Sequence, residues 1–221
     1  MKIAIISANL GNFDPEFPYI IQDPPEGASI DVFRFNDSTF PPRTQSMSSR
    51  LQARIPKMFG WQMAPGYDYY LWVDASFTIS NKDYVRWCIE KIGKKDLLLF
   101  LHPDRGTIKE EAEYIEKRIK EENEYLKSRY VNELTKEQLN YIFQDESYID
   151  NTLFATCSFF YRNIPKIIGM LENWWVHTSR FHVIDQLSLP YVIQRHWCTV
   201  EKIKDNIYKI PYLTYTRNKK G

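Results

Sequence analysis

Cysteine is scarce in this sequence, and long hydrophobic runs are absent from it. The 221 residues include three cysteines, Cys88, Cys157 and Cys198, an odd number at wide spacing that suits neither a disulfide framework nor a zinc-binding pair. No apolar stretch approaches the roughly 18 residues of a membrane-spanning helix, and the apolar run at residues 3–6 is too short for the core of a signal peptide. We therefore predict a soluble cytoplasmic protein without a membrane span.

The sequence also lacks an excess of charge of either sign. Lysine and arginine number 29 and aspartate and glutamate 28, which gives a net charge of +1. Because a balanced surface offers no general attraction to polyanions, nucleic acid is not predicted as a partner. With 43% hydrophobic residues and no repeat, low-complexity segment or linker, the chain is predicted to form one domain over residues 1–215, followed by a polar tail at 216–221.

What the sequence does contain is a recurring unit, an apolar strand followed by a polar loop. Strands are predicted at residues 3–6, 30–35, 67–74, 96–101 and 153–162. Helices are predicted from Ser48 onwards and at residues 81–92, 107–129, 163–176 (capped by Asn163) and 180–194. This alternation predicts an α/β fold whose polar loops follow the carboxyl ends of the strands, where open sheets bind ligands.

One predicted strand ends on an acid. Asp74 closes the apolar segment 67–74 and is followed by Ala75 and Ser76. A carboxylate at the end of a buried strand costs several kcal/mol of desolvation unless it is paired, and a divalent cation is a strong partner. Asp74 and the weaker hydroxyl ligand of Ser76 supply oxygen atoms suited to Mn²⁺ or Mg²⁺. The alternative, an aspartate that forms a turn or a helix cap, stays open at this point.

Three ordered blocks of sequence resemble a known family. The blocks are RLQARIPKMFGWQMAPGYDYYLWVDASFTI, FLHPDRGTIKEEAEYI and RFHVIDQLSLPYV. Together they resemble the TOD/MUCI-type glycosyltransferase-like domain over residues 2–192. The first and last blocks are also similar to glycogenin-like transferases of the GT-A type, which carry a lysine before the metal motif and an Asp-Gln pair late in the domain. Glycosyltransferase domains of the chlorella-virus type are a further, narrower resemblance.

The resemblance implies a fold, an activity and partners. The fold would be a GT-A-type, Rossmann-like single domain with a mixed, mostly parallel central sheet flanked by helices. The activity would be transfer of a hexose from a UDP-sugar donor to a glycan or glycoprotein acceptor, assisted by Mn²⁺ or Mg²⁺. If the protein is viral, its cytoplasm is that of the host cell. One departure concerns the metal, because Asp74-Ala75-Ser76 lacks the second aspartate of the usual Asp-X-Asp motif.

The resemblance also implies roles for the loops that bind the nucleotide. The residues expected to cradle the uridine are Ser7, Ala8 and Asn9 after the first strand and Asn36 and Asp37 after the second. Asp74 and Ser76 would hold the metal on the diphosphate, and Ala75 between them would contact the donor. Arg54 and Lys57 lie three residues apart on a predicted helix, hence on one face, and would offset the charge of the diphosphate. Ordinary turn residues and solvated basic residues are the alternatives.

Two further groups are expected to contact the sugar. His102 and Arg105 follow a buried strand in a tight turn and would donate hydrogen bonds to the sugar or phosphate. His182, Asp185 and Gln186 are spaced i, i+3, i+4, which predicts that they share one helix face. Asp185 would suit the general base of an inverting enzyme and Gln186 a retaining enzyme. The resemblance to glycogenin-like transferases favours retention.

Two alternative functions stay open at this point. A sugar nucleotidyltransferase would ordinarily carry a glycine-rich, basic loop after its first strand, whereas SANLGNFD contains one glycine and no basic residue. A catalytically inactive domain that binds carbohydrate or nucleotide on the same fold stays open, because the second aspartate of the metal motif is missing.

Overall fold

A six-stranded mixed sheet forms the centre of the computed structural model, which describes residues 1–11, 14, 18–40 and 46–216. Its strands, in spatial order, are β2 (Ser29–Asn36), β1 (Lys2–Asn9), β3 (Tyr69–Val73), β6 (Phe154–Arg162), β5 (Leu97–Leu101) and β7 (Val200–Ile203). A separate antiparallel pair joins β4 (Phe77–Ile79) to β8 (Leu213–Tyr215). The helices are α1 (Ser49–Met63), α2 (Tyr84–Ile92), α3 (Ile108–Lys120), α4 (Glu124–Tyr130), α5 (Thr135–Phe143), α6 (Pro165–Arg180) and α7 (Leu189–Arg195).

The sheet is parallel except for one strand. β1 pairs in parallel with β2 and β3, and β5 pairs in parallel with β7, whereas β6 runs antiparallel between β3 and β5. The carboxyl ends of β1, β3 and β5 therefore lie at the same edge as the first residues of β6. This mixed, mostly parallel sheet flanked by helices is the fold class predicted from the sequence.

Both faces of the central strands β1, β3, β6 and β5 are buried, which explains their continuous apolar runs. On β1, Ala4 and Ile6 pack in one hydrophobic core with residues of α1, α6 and α7, while Ile3 and Ile5 pack in a second core with residues of α2. Successive strand residues point to opposite faces, so one short strand supplies both cores.

Helix α1 begins where the sequence predicts and approaches the sheet closely. Ser48 caps it, because its Oγ accepts a hydrogen bond from the Leu51 N–H at 3.2 Å. Pro56 lies inside the helix, and the backbone departs from helical angles at Phe59. A Cβ at Gly60 would lie 3.1 Å from Cγ1 of Ile6, so the missing side chain permits the close approach of α1 to β1.

Three predicted helices differ from the structure. The segment 107–129 forms two helices, α3 and α4, because the chain turns at Glu122 (φ 57°) and Asn123 caps α4. Residues 180–194 are not one helix either: Asp185–Leu187 is a single 3₁₀ turn before α7. Asn163 does not cap α6, which begins at Pro165, because its side chain donates to the Tyr67 carbonyl at 2.9 Å instead.

Within the described ranges no helix combines the length and the apolar character needed to cross a membrane. Of the predicted tail, residues 217–221 lie outside the described residues.

Candidate functional site

A cleft of about 390 Å³ opens at the carboxyl edge of the central sheet. Its lining includes residues at the carboxyl ends of three parallel strands, namely Asn9 as the last residue of β1, Asp74 directly after β3 and His102 directly after β5. Thr156 and Cys157 reach the same edge because β6 runs in the opposite direction. This is the position at which open α/β sheets bind ligands.

Asp74 is held in place by its neighbours on the sheet. Its Oδ1 accepts hydrogen bonds from Nε1 of Trp72 at 2.6 Å and from Nζ of Lys57 at 3.3 Å, and its backbone N–H donates to the Cys157 carbonyl at 2.7 Å. The side chain keeps 25% of its surface exposed. Asp74 therefore presents a fixed, partly exposed carboxylate to the cleft.

Below the cleft, a buried chain of charges joins the two predicted motif regions. Lys57 is fully buried, and its Nζ lies 2.7 Å from Oδ2 of Asp185, while Nε of Arg54 lies 3.1 Å from the same oxygen. Both contacts have ion-pair distances without the directionality of hydrogen bonds. Lys57 thus connects Asp74 to Asp185, although 111 residues separate these two aspartates in the sequence (185 minus 74).

Both oxygens of the Asp185 carboxylate contact other side chains, Oδ2 through the two ion pairs above. Its Oδ1 accepts a hydrogen bond from the Thr156 hydroxyl at 2.7 Å, and its backbone carbonyl accepts one from Nε1 of Trp174 at 2.8 Å. Burial acts to raise the pKa of Asp185, but the charges of Arg54 and Lys57 outweigh it and hold the pKa below its usual range. Asp185 therefore remains ionised and is a weak base.

A second carboxylate comes from Asp14, in the segment after β1. Asn9 fixes the Asp14 backbone: its Nδ2 donates to the Asp14 carbonyl at 2.8 Å, and its Oδ1 accepts from the Asp14 N–H at 3.3 Å. Oδ1 of Asp14 is buried and has no hydrogen-bond partner within the described part of the chain. Burial, and next the charge of Asp74, raise the pKa of Asp14, while the charge of Arg129 acts in the opposite direction.

His102 and Arg105 form a pair of hydrogen-bond donors. Nδ1 of His102 accepts the backbone N–H groups of Asp104 and Arg105 at 3.2 and 3.1 Å. The neutral ring then carries its proton on Nε2, which lies 3.1 Å from Nη2 of Arg105. Burial and the charge of Arg105 lower the pKa of His102 to about 4, so it is uncharged at neutral pH. An oxygen atom of a ligand can accept from both groups.

Most of the predicted site residues line this cleft together. They are Ala8, Asn9, Arg54, Asp74, Ala75, Ser76, His102, Arg105, Asp185 and Gln186.

Five predicted residues do not line it, and the first two are turn residues. Oδ1 of Asn36 accepts from the N–H groups of Ser38 and Thr39, and the Asp37 carboxylate accepts from the Gly11 N–H. These contacts are those of the turn interpretation, and the role of this loop in binding uridine stays a prediction. The Asp37 carboxylate thereby holds Gly11, the second residue after β1, in position.

The other three are buried beneath the cleft wall. Ser7 is 2% exposed and Lys57 is 1% exposed, so neither reaches a ligand directly. His182 is fully buried, packs its ring against Tyr130 and accepts the Ile184 N–H at Nδ1. The predicted helix face shared by His182, Asp185 and Gln186 does not exist, because the chain forms a 3₁₀ turn there.

Sequence reasoning missed the tyrosine and arginine residues of the cleft wall. These are Tyr114, Tyr125 and Tyr130 with Arg50 and Arg129 from the helices, and Tyr208 and Tyr215 from the C-terminal region. The Tyr125 and Arg129 pair was detectable as an i, i+4 spacing, and their stacking is the result. Thr156 carried no local signal, because its role depends on a partner 29 residues away.

No protein-family model matches the chain, and no curated protein matches it. Among solved structures, the chain is similar to a glycosyltransferase involved in the glycosylation of the major capsid of PBCV-1. The two chains are 9% identical, the TM-score is 0.46, and the match covers 91% of this chain and 81% of that one.

Proposed function

We propose that the protein is a glycosyltransferase that moves a hexose from a UDP-sugar to a glycan or glycoprotein acceptor. The observation that carries the proposal is the buried chain Asp74–Lys57–Asp185, which brings the strand-end acid and the late Asp-Gln pair to one cleft. In the sequence these are the two motifs that resemble glycogenin-like transferases. A packing role alone would not require three charged side chains at this position, since buried charge is costly.

Gln186 is the best candidate for contact with the transferred sugar. It lines the cleft, and its Nε2 donates to the Phe154 carbonyl at 3.4 Å, which fixes the amide and leaves its oxygen as an acceptor. Asp185 serves as a positioning residue, because its oxygens are held by Thr156, Arg54 and Lys57. Because these contacts keep the Asp185 carboxylate from acting as a general base, a retaining reaction fits better than an inverting one.

The residues around Asp74 fit a hard divalent cation. Two carboxylates, Asp74 and Asp14, face the cleft with Ser76, and Oδ1 of Asp14, which has no hydrogen-bond partner among the described residues, offers a further oxygen ligand. Within the described ranges no group of three His, Cys, Asp or Glu side chains forms a complete metal site. The pair of carboxylates matches Mg²⁺ or Mn²⁺, which are commonly bound by one or two carboxylates plus substrate phosphates. Such a cation would stabilise negative charge on the leaving diphosphate.

Binding of UDP tests the proposal. Calorimetric titration with UDP and Mn²⁺ should give saturable binding to the wild-type protein and a raised melting temperature. Asp74→Asn should weaken this binding by about tenfold or more, since it removes a charge from the metal ligands. Asp83→Asn, at an exposed acid paired with Arg86, is the matched control and should bind as the wild type does. Absence of UDP binding to the wild-type protein would refute the proposal.

Turnover separates an enzyme from an inactive binding domain. Purified protein incubated with UDP-hexose and Mn²⁺, without acceptor, should release UDP slowly, and Gln186→Ala should reduce that rate by about tenfold or more while leaving UDP affinity nearly unchanged. UDP binding without any release of UDP would favour the inactive binding domain instead.

A further inference from the structure

His102 and Arg105 place two N–H donors side by side in the cleft. Nδ1 of His102 accepts the backbone N–H groups of Asp104 and Arg105, so the proton of the neutral ring lies on Nε2. This nitrogen lies 3.1 Å from Nη2 of Arg105, which is also a donor. Two donors cannot bond to one another, whereas one oxygen atom that accepts from both satisfies them. The pair is therefore suited to an acceptor oxygen of a ligand in the cleft, which both residues line.

Glu111 balances the charge of this donor pair. It is a buried residue of α3 that lines the cleft, and it accepts a hydrogen bond from Nε of Arg105 within an ion pair. The guanidinium also stacks on Tyr114, with Cζ 4.1 Å from the ring centroid, which fixes the plane of its N–H groups. Burial and the charge of Arg105 lower the pKa of His102, so the ring adds no charge at neutral pH. The three groups together are electrically neutral.

This balance decides which ligand oxygen suits the donor pair. A sugar hydroxyl accepts from both donors and brings no charge. A carboxylate or phosphate would place a negative charge beside Glu111, whose pKa is raised by burial and, to a smaller extent, by the charge of Asp104, against the effect of Arg105. Since like charges in a partly buried site repel, an uncharged acceptor is favoured.

The sheet places the donor pair next to the candidate for contact with the transferred sugar. The backbone N–H of His102 donates to the Leu153 carbonyl at 2.9 Å, and the carbonyl of the following residue, Phe154, accepts from Nε2 of Gln186. Strand β5 lies two strands from β3, a separation of roughly 10 Å, which leaves room for a sugar ring between a diphosphate at Asp74 and the donor pair. A hexose so placed meets both His102 and Gln186.

We propose that His102 and Arg105 bind a hydroxyl group of the transferred hexose, and that Glu111 holds Arg105 in position and selects an uncharged hexose against a uronic acid. The inference rests on the proposed function and narrows its donor to nucleotide sugars without a carboxylate. It assigns the donor pair to the sugar and not to the diphosphate.

Matched nucleotide sugars test the selection. UDP, UDP-glucose, UDP-galactose and the two corresponding UDP-uronic acids are titrated with Mn²⁺ at pH 7.5 into the wild-type protein, Arg105→Gln and Glu111→Gln. The wild-type protein should bind the tighter hexose about tenfold or more better than its uronic acid. Arg105→Gln should weaken that hexose by about tenfold and leave UDP within about twofold, because the lost hydrogen bond is to the sugar.

Glu111→Gln gives the sharper result, because it predicts a gain. The amide can still accept from Nε of Arg105, but the negative charge is gone, so affinity for the uronic acid should rise by about tenfold while UDP stays within about twofold. A role of Glu111 in packing alone predicts equal or weaker binding of every ligand. Glu113→Gln is the matched control, since it removes the same charge from an exposed position on the same helix, outside the cleft lining. It should bind all five ligands as the wild type does.

The outcomes separate this inference from the proposed function. If the wild-type protein binds UDP and the UDP-hexoses but neither substitution changes the affinity for any sugar, the hydroxyl site does not exist and the proposed function stands. Equal wild-type affinity for hexoses and uronic acids, or no gain in Glu111→Gln, would refute the selection by Glu111. If the wild-type protein binds neither UDP nor any UDP-sugar, the proposed function fails and the inference fails with it.

Discussion

At the scale of single residues, the charge balance under the cleft depends on Lys57. Its fully buried ammonium group contacts Asp74 at 3.3 Å and Asp185 at 2.7 Å. Its position over the rings of Trp72 and Trp174, 5.5 and 5.8 Å from their centroids, adds cation–π contact. Among the described residues, removal of the lysine leaves the buried Asp185 carboxylate with Arg54 as its one ion-pair partner.

Lys57→Met should therefore lower the free energy of unfolding by about 3–5 kcal/mol, measured by urea denaturation at pH 7. Adding Asp185→Asn to this variant should restore part of the loss, because the uncompensated charge is then gone. Lys82→Met is the matched control: Lys82 is exposed and paired with Asp23, so its removal should have little effect. A loss below about 1 kcal/mol for Lys57→Met would show that the buried lysine does not stabilise this arrangement.

The residues that the sequence placed at the cleft are those whose position follows from local pattern. Asp74 ends an apolar strand, and a strand end at the carboxyl edge of a parallel sheet faces the ligand cleft. Burial, by contrast, depends on distant parts of the chain. The sequence shows that Arg54 and Lys57 share a helix face, but not that the Asp185 region covers Lys57 and leaves Arg54 at the cleft.

At the scale of elements, the position of α1 against β1 sets where Arg54 and Lys57 lie. Gly60→Ala should lower the free energy of unfolding by about 1 kcal/mol, because overpacking against the buried Ile6 outweighs the gain in helix propensity. Gly169→Ala in α6 is the control, since its Cβ would meet the His196 ring at an ordinary 3.4 Å and should be neutral or stabilising. Urea denaturation of both variants measures the difference. Equal effects of the two substitutions would contradict a close contact specific to α1.

The elements that sequence reasoning identified are those with strong local periodicity, and the errors lie where one backbone angle or a distant partner decides. Glu122 adopts φ 57°, a left-handed conformation that no side-chain pattern at residues 107–129 indicates, and α3 ends just before it, at Lys120. Strand β8 covers three residues and exists through its pairing with β4, over a hundred residues earlier. Local sequence cannot specify such pairing.

At the scale of the whole molecule, buried neutral histidines should govern stability in mild acid. His177 packs among Tyr141, Phe181 and Tyr191, and His182 packs against Tyr130 near Asp185. Burial lowers the pKa of His177 to about 4, with Arg180 adding to the effect, and lowers that of His182 to about 3. Their ordinary pKa is 6.5, so the unfolded chain binds these protons first as the pH falls.

These lowered pKa values mean that acidification lowers the free energy of unfolding. The stability from each neutral histidine is complete above pH 6.5 and is lost as the pH falls towards 4, by up to roughly 1.4 kcal/mol per pH unit for each ring. The raised pKa values of Asp14, Glu111 and Glu133 oppose this loss, since a carboxyl group with a raised folded pKa gains stability on acidification. The histidine effect should dominate the upper part of the range, before these carboxyl groups titrate.

Urea denaturation between pH 7.5 and 5 should therefore show falling stability in the wild type and a shallower slope in His177→Asn and in His182→Asn. His196→Asn, at a partly exposed histidine, controls for removal of any histidine and should change the slope less. Because each substitution also alters packing, the comparison is of slopes and not of absolute stability at one pH. If both variants keep the wild-type slope, the lowered pKa values of His177 and His182 do not cause the acid sensitivity. His102, whose pKa is also lowered to about 4, is then the next candidate.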